Sequence, residues 1–149
     1  MYIFLADDDS DDCMLFGDAL KKLPFRQTLT IANNGEQLMD LLQNPSVLKP
    51  DVLFLDLNMP RKNGFQCLSE IKADNDLRNI PVVIISTSSD HHVMDQLFNN
   101  GAHFYIRKPA DFVQLKSLIS EVLELVSTNK LTQPVKEHFV LKQELKPSG

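Results

Sequence analysis

Carboxylates gather near the start of the chain, directly after a short apolar run. In the stretch YIFLADDDSDD (residues 2–12), five mostly apolar residues lead into three consecutive aspartates, of which the first two are Asp7 and Asp8. Two more aspartates, Asp11 and Asp12, follow one residue later. Like charges this close repel and raise one another's pKa. Such a group is stabilised by a cation, and ligands that are all oxygen select a hard divalent ion such as Mg²⁺.

Three further polar residues follow other apolar runs: Asp56 ends VLFLD, Ser86 ends VVIIS, and Lys108 follows YIR. A divalent cation with a fixed lysine neutralises the spread negative charge of a phosphoryl group. The chain has no glycine-rich P-loop, so the phosphoryl group is not held as part of a nucleotide in that way. A carboxylate nucleophile that accepts the group as an acyl phosphate fits this set of residues.

The apolar pattern predicts the elements that bring these residues together. Short runs rich in β-branched and aromatic residues alternate with helical patterns, which indicates five βα units and a parallel sheet with helices on both faces. Ligands bind outside the carboxyl ends of such strands, where all the polar residues above fall. The predicted strands are Tyr2–Ala6, Thr28–Ala32, Val52–Leu57, Val82–Ile85 and Ala102–Ile106.

Length and charge limit the classes of protein to consider. A chain of 149 residues is about one domain. Its net charge of −5 argues against a nonspecific grip on nucleic acid or on an anionic membrane. No basic region precedes the first apolar run, and no apolar stretch approaches the ~18 residues of a membrane helix. We therefore expect a cytoplasmic protein with no nucleic-acid or membrane partner.

Four motifs, IFLADDD, VLFLDLNMPRKNG, VVIISTSS and YIRKP, occur in the order and at the spacing of the receiver domain of two-component response regulators, which the chain resembles over residues 1–128. The triple aspartate and the motif NMPRKNG resemble the corresponding motifs of free-standing, single-domain receivers of the chemotaxis-Y-like or phytochrome-associated kind. The resemblance implies an α/β fold, a doubly wound five-stranded parallel sheet with the flavodoxin-like order 2-1-3-4-5. Residues 129–149 then form a tail, partly ordered or mobile, in which Val135 and Phe139–Leu141 favour a short docked element.

The resemblance also implies a role for each site residue. Asp56 matches the phosphoacceptor, which takes its phosphoryl group from a histidine kinase or a phosphotransfer protein in a Mg²⁺-dependent reaction. Lys108 matches the lysine that pairs with the phosphoryl group, and the bond from it to Pro109 is expected to be cis. The implied metal ligands are Asp7, acting largely through water, Asp8, Asp56 and the backbone carbonyl of Asn58.

Two positions match the family's conformational switch. Ser86 stands where a hydroxyl moves to bond a phosphoryl oxygen, and Tyr105 stands where an aromatic ring changes rotamer afterwards. The output is therefore expected at the fourth helix, fifth strand and fifth helix, where a second copy of the chain is the favoured partner. The protein is predicted to be no enzyme beyond its own phosphorylation and dephosphorylation.

Three other classes remain to be weighed. FLADDD also fits a haloacid-dehalogenase-like phosphatase with Asp7 as nucleophile, but Asp11 stands where that family has Thr or Val. A flavin-binding domain of the same topology would need a hydroxyl- and glycine-rich loop where this chain has an acidic one. A phosphorylation-independent docking module would not require every phosphoryl-site position to be filled.

Overall fold

The computed structural model describes residues 1–109 and 111–141. Its centre is one parallel sheet of six strands, because five apolar runs alternate with helical patterns and a sixth strand is added near the C-terminus. The strand order is 2-1-3-4-5-6, and every pairing is parallel. The predicted fold class and the order of its five strands are confirmed. The strands are β1 (Tyr2–Ala6), β2 (Thr28–Ala32), β3 (Val52–Asp56), β4 (Val82–Ser86), β5 (Phe104–Arg107) and β6 (Val140–Leu141).

Five helices connect the strands, and side-chain caps begin each of them. Asn63 and Gln66, for example, form a reciprocal capping box at the start of the third helix. Aspartates cap the first, fourth and fifth helices, where they accept backbone N–H groups that have no partner within the helix. The helices are α1 (Ser10–Lys21), α2 (Gly35–Gln43), α3 (Gly64–Ala73), α4 (His91–Asn99) and α5 (Phe112–Ser127).

The sheet buries apolar side chains on both faces. Because successive residues of a strand point to opposite sides, Phe4 packs with the core under α2, α3 and α4, whereas Ile3 and Leu5 pack with the core under α1 and α5. Every residue of β3 and β4 is buried. β3 and β4, the two central strands, are therefore held by packing on both faces, and they fix the positions of Asp56 and Ser86 at their carboxyl ends.

The C-terminal segment, which we define as residues 130–141, returns to the sheet after α5. A short 3₁₀ turn over Lys136–His138 precedes β6, which pairs with β5 through Tyr105 and Ile106. Phe139 is 2% exposed and its ring meets those of Phe98 and Tyr105, with centroids 5.4 and 6.2 Å away. This segment is the short docked element that the apolar residues favoured, and the predicted tail beyond residue 141 lies outside the described residues.

The segment also covers part of the α4–β5 surface on which we expected a second copy of the chain. Gln133 donates from Nε2 to the carbonyl oxygens of Phe98 and Ala102, at 2.7 and 3.1 Å. Lys136 forms an ion pair with Asp95 of α4, with Nζ 3.1 Å from Oδ1. That surface is thus composite, formed by α4, β5 and the chain's own C-terminal segment.

Candidate functional site

The carboxyl ends of β1, β3, β4 and β5 bring the predicted polar residues to one end of the sheet. Asp7 follows β1, Asp56 ends β3, Ser86 ends β4 and Lys108 follows β5. Asp7 and Asp56 are only 3% and 4% exposed, and Ser86 is fully buried. Buried polar groups require partners, so their mutual contacts define the site.

Lys108 is the centre of the cluster. Its Nζ lies 3.2 Å from Asp7 Oδ2, 3.3 Å from Asp56 Oδ2 and 2.9 Å from Asp12 Oδ2. Burial opposes the charge of the ammonium, but the hydrogen bond to Asp12 and the charges of Asp56 and Asp7 outweigh it and raise the pKa of Lys108. The lysine is therefore charged at any physiological pH.

The pKa of Asp7 is raised because its carboxylate is buried close to another acid. Burial, and then the nearby charge of Asp56, raise its pKa to about 6, although the backbone N–H of Asp9 donates to Asp7 Oδ1 at 2.9 Å and opposes the shift. An acid with a raised pKa marks a place where more positive charge would be favourable. A second cation, in addition to Lys108, would therefore stabilise the charged form of the site.

The donor atoms for a cation are in place. One carboxylate oxygen from each of Asp7, Asp8 and Asp56 lies within 4.8 Å of the other two. Within residues 1–109 and 111–141, this is the group of three or more side chains that could hold a metal ion. All three donors are oxygen, the type that Mg²⁺ and related hard cations prefer. Asn58 lies at the rim, where its backbone N–H donates to Asp56 Oδ1 at 3.3 Å. The cluster is thus an acidic pocket that fits a divalent metal ion.

The loop after β3 is fixed by a close approach of the backbone. The N–H of Gly64 donates to the carbonyl oxygen of Leu57 at 3.0 Å, and a Cβ at Gly64 would collide with the carbonyl oxygen of Asp56. A residue with a side chain does not fit this position without moving Asp56. The glycine of NMPRKNG is therefore part of what places the candidate nucleophile.

Ser86 and Tyr105 lie on the neighbouring strands β4 and β5, where Ser86 pairs with Arg107 and Tyr105 with Ile84. Ser86 Oγ accepts the backbone N–H of Ser88 at 3.2 Å, and the Tyr105 hydroxyl donates to the carbonyl oxygen of Ser88 at 2.8 Å. The Tyr105 ring is fully buried, with Phe139 against it. In this arrangement the ring is covered from solvent, and both residues contact the same short turn after β4.

One sequence prediction is contradicted, and one contact was missed. The bond from Lys108 to Pro109 is trans, the form that X–Pro bonds favour by about 0.5–1 kcal/mol, and Lys108 reaches the site without a cis bond. The contact between Asp12 and Lys108 was not predicted. Asp12 lies in the first turn of α1, three residues after the cap Asp9, and no spacing along the chain points from there to Lys108.

Comparison with known families agrees with this geometry. The protein-family model for the response regulator receiver domain matches residues 3–120 of the chain. The chain is 30% identical over 125 residues to a probable methanogenesis regulatory protein, FilR2 of Methanothrix harundinacea, which covers 82% of this chain and 81% of the relative. The chain therefore belongs to the receiver domains of response regulators, the modules that are phosphorylated in two-component signalling.

Solved structures of similar proteins include those of Rcp1 and RcpA. Response regulator Rcp1 of a Synechocystis species is 29% identical over 124 residues, covering 80% of this chain and 84% of Rcp1. The crystal structure of its Mn²⁺-bound form has a TM-score of 0.77 at 28% identity and covers 90% of this chain and 99% of that one. The phosphorylated cyanobacterial phytochrome response regulator RcpA has a TM-score of 0.79 at 30% identity, covering 86% of this chain and 94% of its own. The predicted resemblance to single-domain receivers is confirmed.

No helix within the two described ranges has the length and apolar character needed to cross a membrane.

Proposed function

We propose that this chain is a single-domain response regulator that accepts a phosphoryl group on Asp56. The observation that carries the proposal is the position of Asp56: a buried carboxylate at the end of a rigid central strand, 3.3 Å from the ammonium of Lys108 and within 4.8 Å of two other acids. A carboxylate without such neighbours has no means of stabilising the charge of an incoming phosphoryl group. The donor is a histidine kinase or a phosphotransfer protein.

The proposed step is a displacement at phosphorus. A carboxylate oxygen of Asp56 forms the new P–O bond, and the bond from phosphorus to the donor breaks, which is P–N in phosphohistidine or P–O in acetyl phosphate. The donor leaves with the electron pair of the broken bond. Lys108 neutralises charge on the transferred oxygens, and water later cleaves the acyl phosphate to inorganic phosphate and the free carboxylate.

The step is proposed to depend on Mg²⁺ held by Asp7, Asp8, Asp56 and the Asn58 carbonyl. When bound, the ion would offset the charge of the phosphoryl oxygens and of the clustered acids. The fit of three oxygen donors and the raised pKa of Asp7 support this assignment. The Mn²⁺-bound form of Rcp1 supports it independently, since that relative holds a divalent ion.

The signal is proposed to leave through Ser86 and Tyr105. The hydroxyl of Ser86 moves to a phosphoryl oxygen, which changes the turn at Ser88 that both side chains contact. Because Phe139 packs on the Tyr105 ring, a movement of this turn reaches the C-terminal segment as well as α4 and β5. A groove of about 950 Å³ between α4, α5 and the segment offers a place for a partner, for which a second copy of the chain remains our proposal.

The test uses Mg²⁺ and acetyl phosphate with the wild-type chain and two variants. The wild type should gain one phosphoryl group, Asp56→Asn should gain none, and Asp40→Asn, the same change on an exposed residue of α2, should behave as wild type. The product is measured by intact-mass spectrometry and located by borohydride reduction. Labelling of Asp56→Asn at the wild-type level would contradict the proposal.

The same experiment separates the rival classes. Steady release of phosphate from an ester, lost in Asp7→Asn but kept in Asp56→Asn, would indicate the phosphatase. A chain that is never labelled but still binds its partner would indicate the docking module.

A further inference from the structure

The ammonium of Lys108 has no hydrogen left for another acceptor. A lysine has three N–H donors, and here three carboxylates accept them: Asp7, Asp12 and Asp56. The shortest of the three contacts, 2.9 Å, is to Asp12, which is not one of the acids of the metal-competent group. A phosphoryl oxygen that binds Lys108 must therefore displace one of these carboxylates.

The position of Asp12 is fixed by the start of α1. The carboxylate of Asp9 caps the helix and accepts the backbone N–H groups of Asp11 and Asp12 at 2.9 and 3.1 Å. This cap orients the first turn so that Asp12 points to Lys108 while Asp11 is exposed. The ion pair joins a side chain that is 39% exposed to one that is 18% exposed, so it is only partly screened by water.

The three carboxylates differ in what a cation does to them. Asp7 and Asp56 are shared with the acidic pocket, so a bound cation would attract their oxygens and weaken their hold on Lys108. Asp12 has no such second partner among its described contacts. It remains the negative group that draws the ammonium towards α1 and so away from a phosphoryl oxygen on Asp56.

We propose that Asp12 is a positioning residue that holds Lys108 and competes with the phosphoryl group on Asp56, lowering the affinity of the site for that group. The proposal rests on the proposed function, because it concerns how firmly the phosphorylated form is held. It assigns a role to the second of the two aspartates that follow the triple aspartate.

The test compares the wild type with Asp12→Asn, Asp12→Glu and Asp11→Asn. Asp11→Asn removes the same charge from the same helical turn but does not touch Lys108, so it controls for net charge. Beryllofluoride serves as the phosphoryl mimic, and its dissociation constant is measured by calorimetry at saturating Mg²⁺. Asp12→Asn should bind it about two- to fivefold more tightly than Asp11→Asn, the range expected for an ion pair of this exposure. Asp12→Glu, which keeps the carboxylate, should restore the wild-type affinity.

A second readout needs neither metal nor phosphoryl mimic. In the metal-free protein, the ¹⁵N signal of the Lys108 ammonium should shift in Asp12→Asn and stay at its wild-type position in Asp11→Asn. Equal beryllofluoride affinities for these two variants, with a wild type that binds the mimic, would overturn the role of Asp12 alone. A wild type that does not bind beryllofluoride overturns the proposed function, and the competition with it.

Discussion

Gly64 has no reactive side chain, but it helps to fix the position of Asp56. The backbone of the loop after β3 approaches so closely that a Cβ at Gly64 would meet the carbonyl oxygen of Asp56. The neighbouring motif residues form the capping box of α3, which fixes where the helix begins. The position of Asp56, the proposed phosphoacceptor, thus depends on a contact that only glycine allows.

We expect Gly64→Ala to destabilise the protein by about 1–3 kcal/mol, the usual cost of forcing atoms into a filled space, and to slow labelling of Asp56. The matched control is Gly17→Ala, because a Cβ at Gly17 in α1 meets only Leu29, at an ordinary 3.8 Å. That change should stabilise the protein by roughly 0.5–1 kcal/mol. Urea denaturation measures both, and a Gly64→Ala variant as stable as Gly17→Ala would refute the close approach.

The site also shows which contacts a sequence can and cannot reveal. Asp8, Asp56 and Lys108 were predictable because each stands at the end of a strand, and parallel strands bring their carboxyl ends together. The contact of Asp12 with Lys108 joins a helix to a loop 96 residues away. No periodic pattern of residues in the sequence indicates a contact over such a separation. The trans bond at Pro109 was missed because that expectation came from the family and not from this chain.

At the scale of elements, the C-terminal segment is the addition that the five-stranded prediction lacked. The strands and helices were predictable from the alternation of two periods, with ends that shifted by one or two residues. β6 is only two residues long and carries no strand pattern of its own. Its pairing depends on Phe139, whose burial is decided by the distant rings of Phe98 and Tyr105.

We expect Phe139→Ala to destabilise the protein by about 3 kcal/mol, because it leaves a cavity between α4 and β5. Val135→Ala, in the same segment but at a side chain that is 61% exposed, should change the stability by less than about 0.5 kcal/mol. The free energies come from urea denaturation, with the NMR signals of the Tyr105 ring as a local probe. An unchanged Tyr105 ring in Phe139→Ala would show that the segment does not pack there in solution.

At the scale of the whole molecule, charge is distributed unevenly around one core. A net charge of −5 is modest for 149 residues, but Asp7 and Asp56 place negative charge where burial makes it costly, and the exposed Asp8 adds to it. We expect the folded state to bind a cation there more strongly than the unfolded chain does, because Asp56 is far from Asp7 and Asp8 when the chain is unfolded. Ligands that bind only the folded state stabilise it by mass action.

We therefore expect Mg²⁺ to raise the melting temperature of the whole chain. At a hundredfold excess over its dissociation constant the gain is about 2.7 kcal/mol, or roughly 5–10 °C for a chain of this length. Asp8→Asn should lose most of the gain, whereas Asp11→Asn should keep it, since Asp11 lies outside the pocket. Sodium chloride at matched ionic strength controls for simple screening. A wild type whose melting is indifferent to Mg²⁺ would refute a metal at these acids.

The pairing of β6 with β5 has a consequence for work on fragments of the chain. A protein cut at residue 129, where the receiver pattern ends, would leave the backbone N–H and C=O groups of β5 open along one side, next to the uncovered rings of Phe98 and Tyr105. Open strands of this kind adhere to other chains and promote aggregation. Such a fragment would self-associate for reasons unrelated to signalling, and its oligomers would be mistaken for a response to phosphorylation.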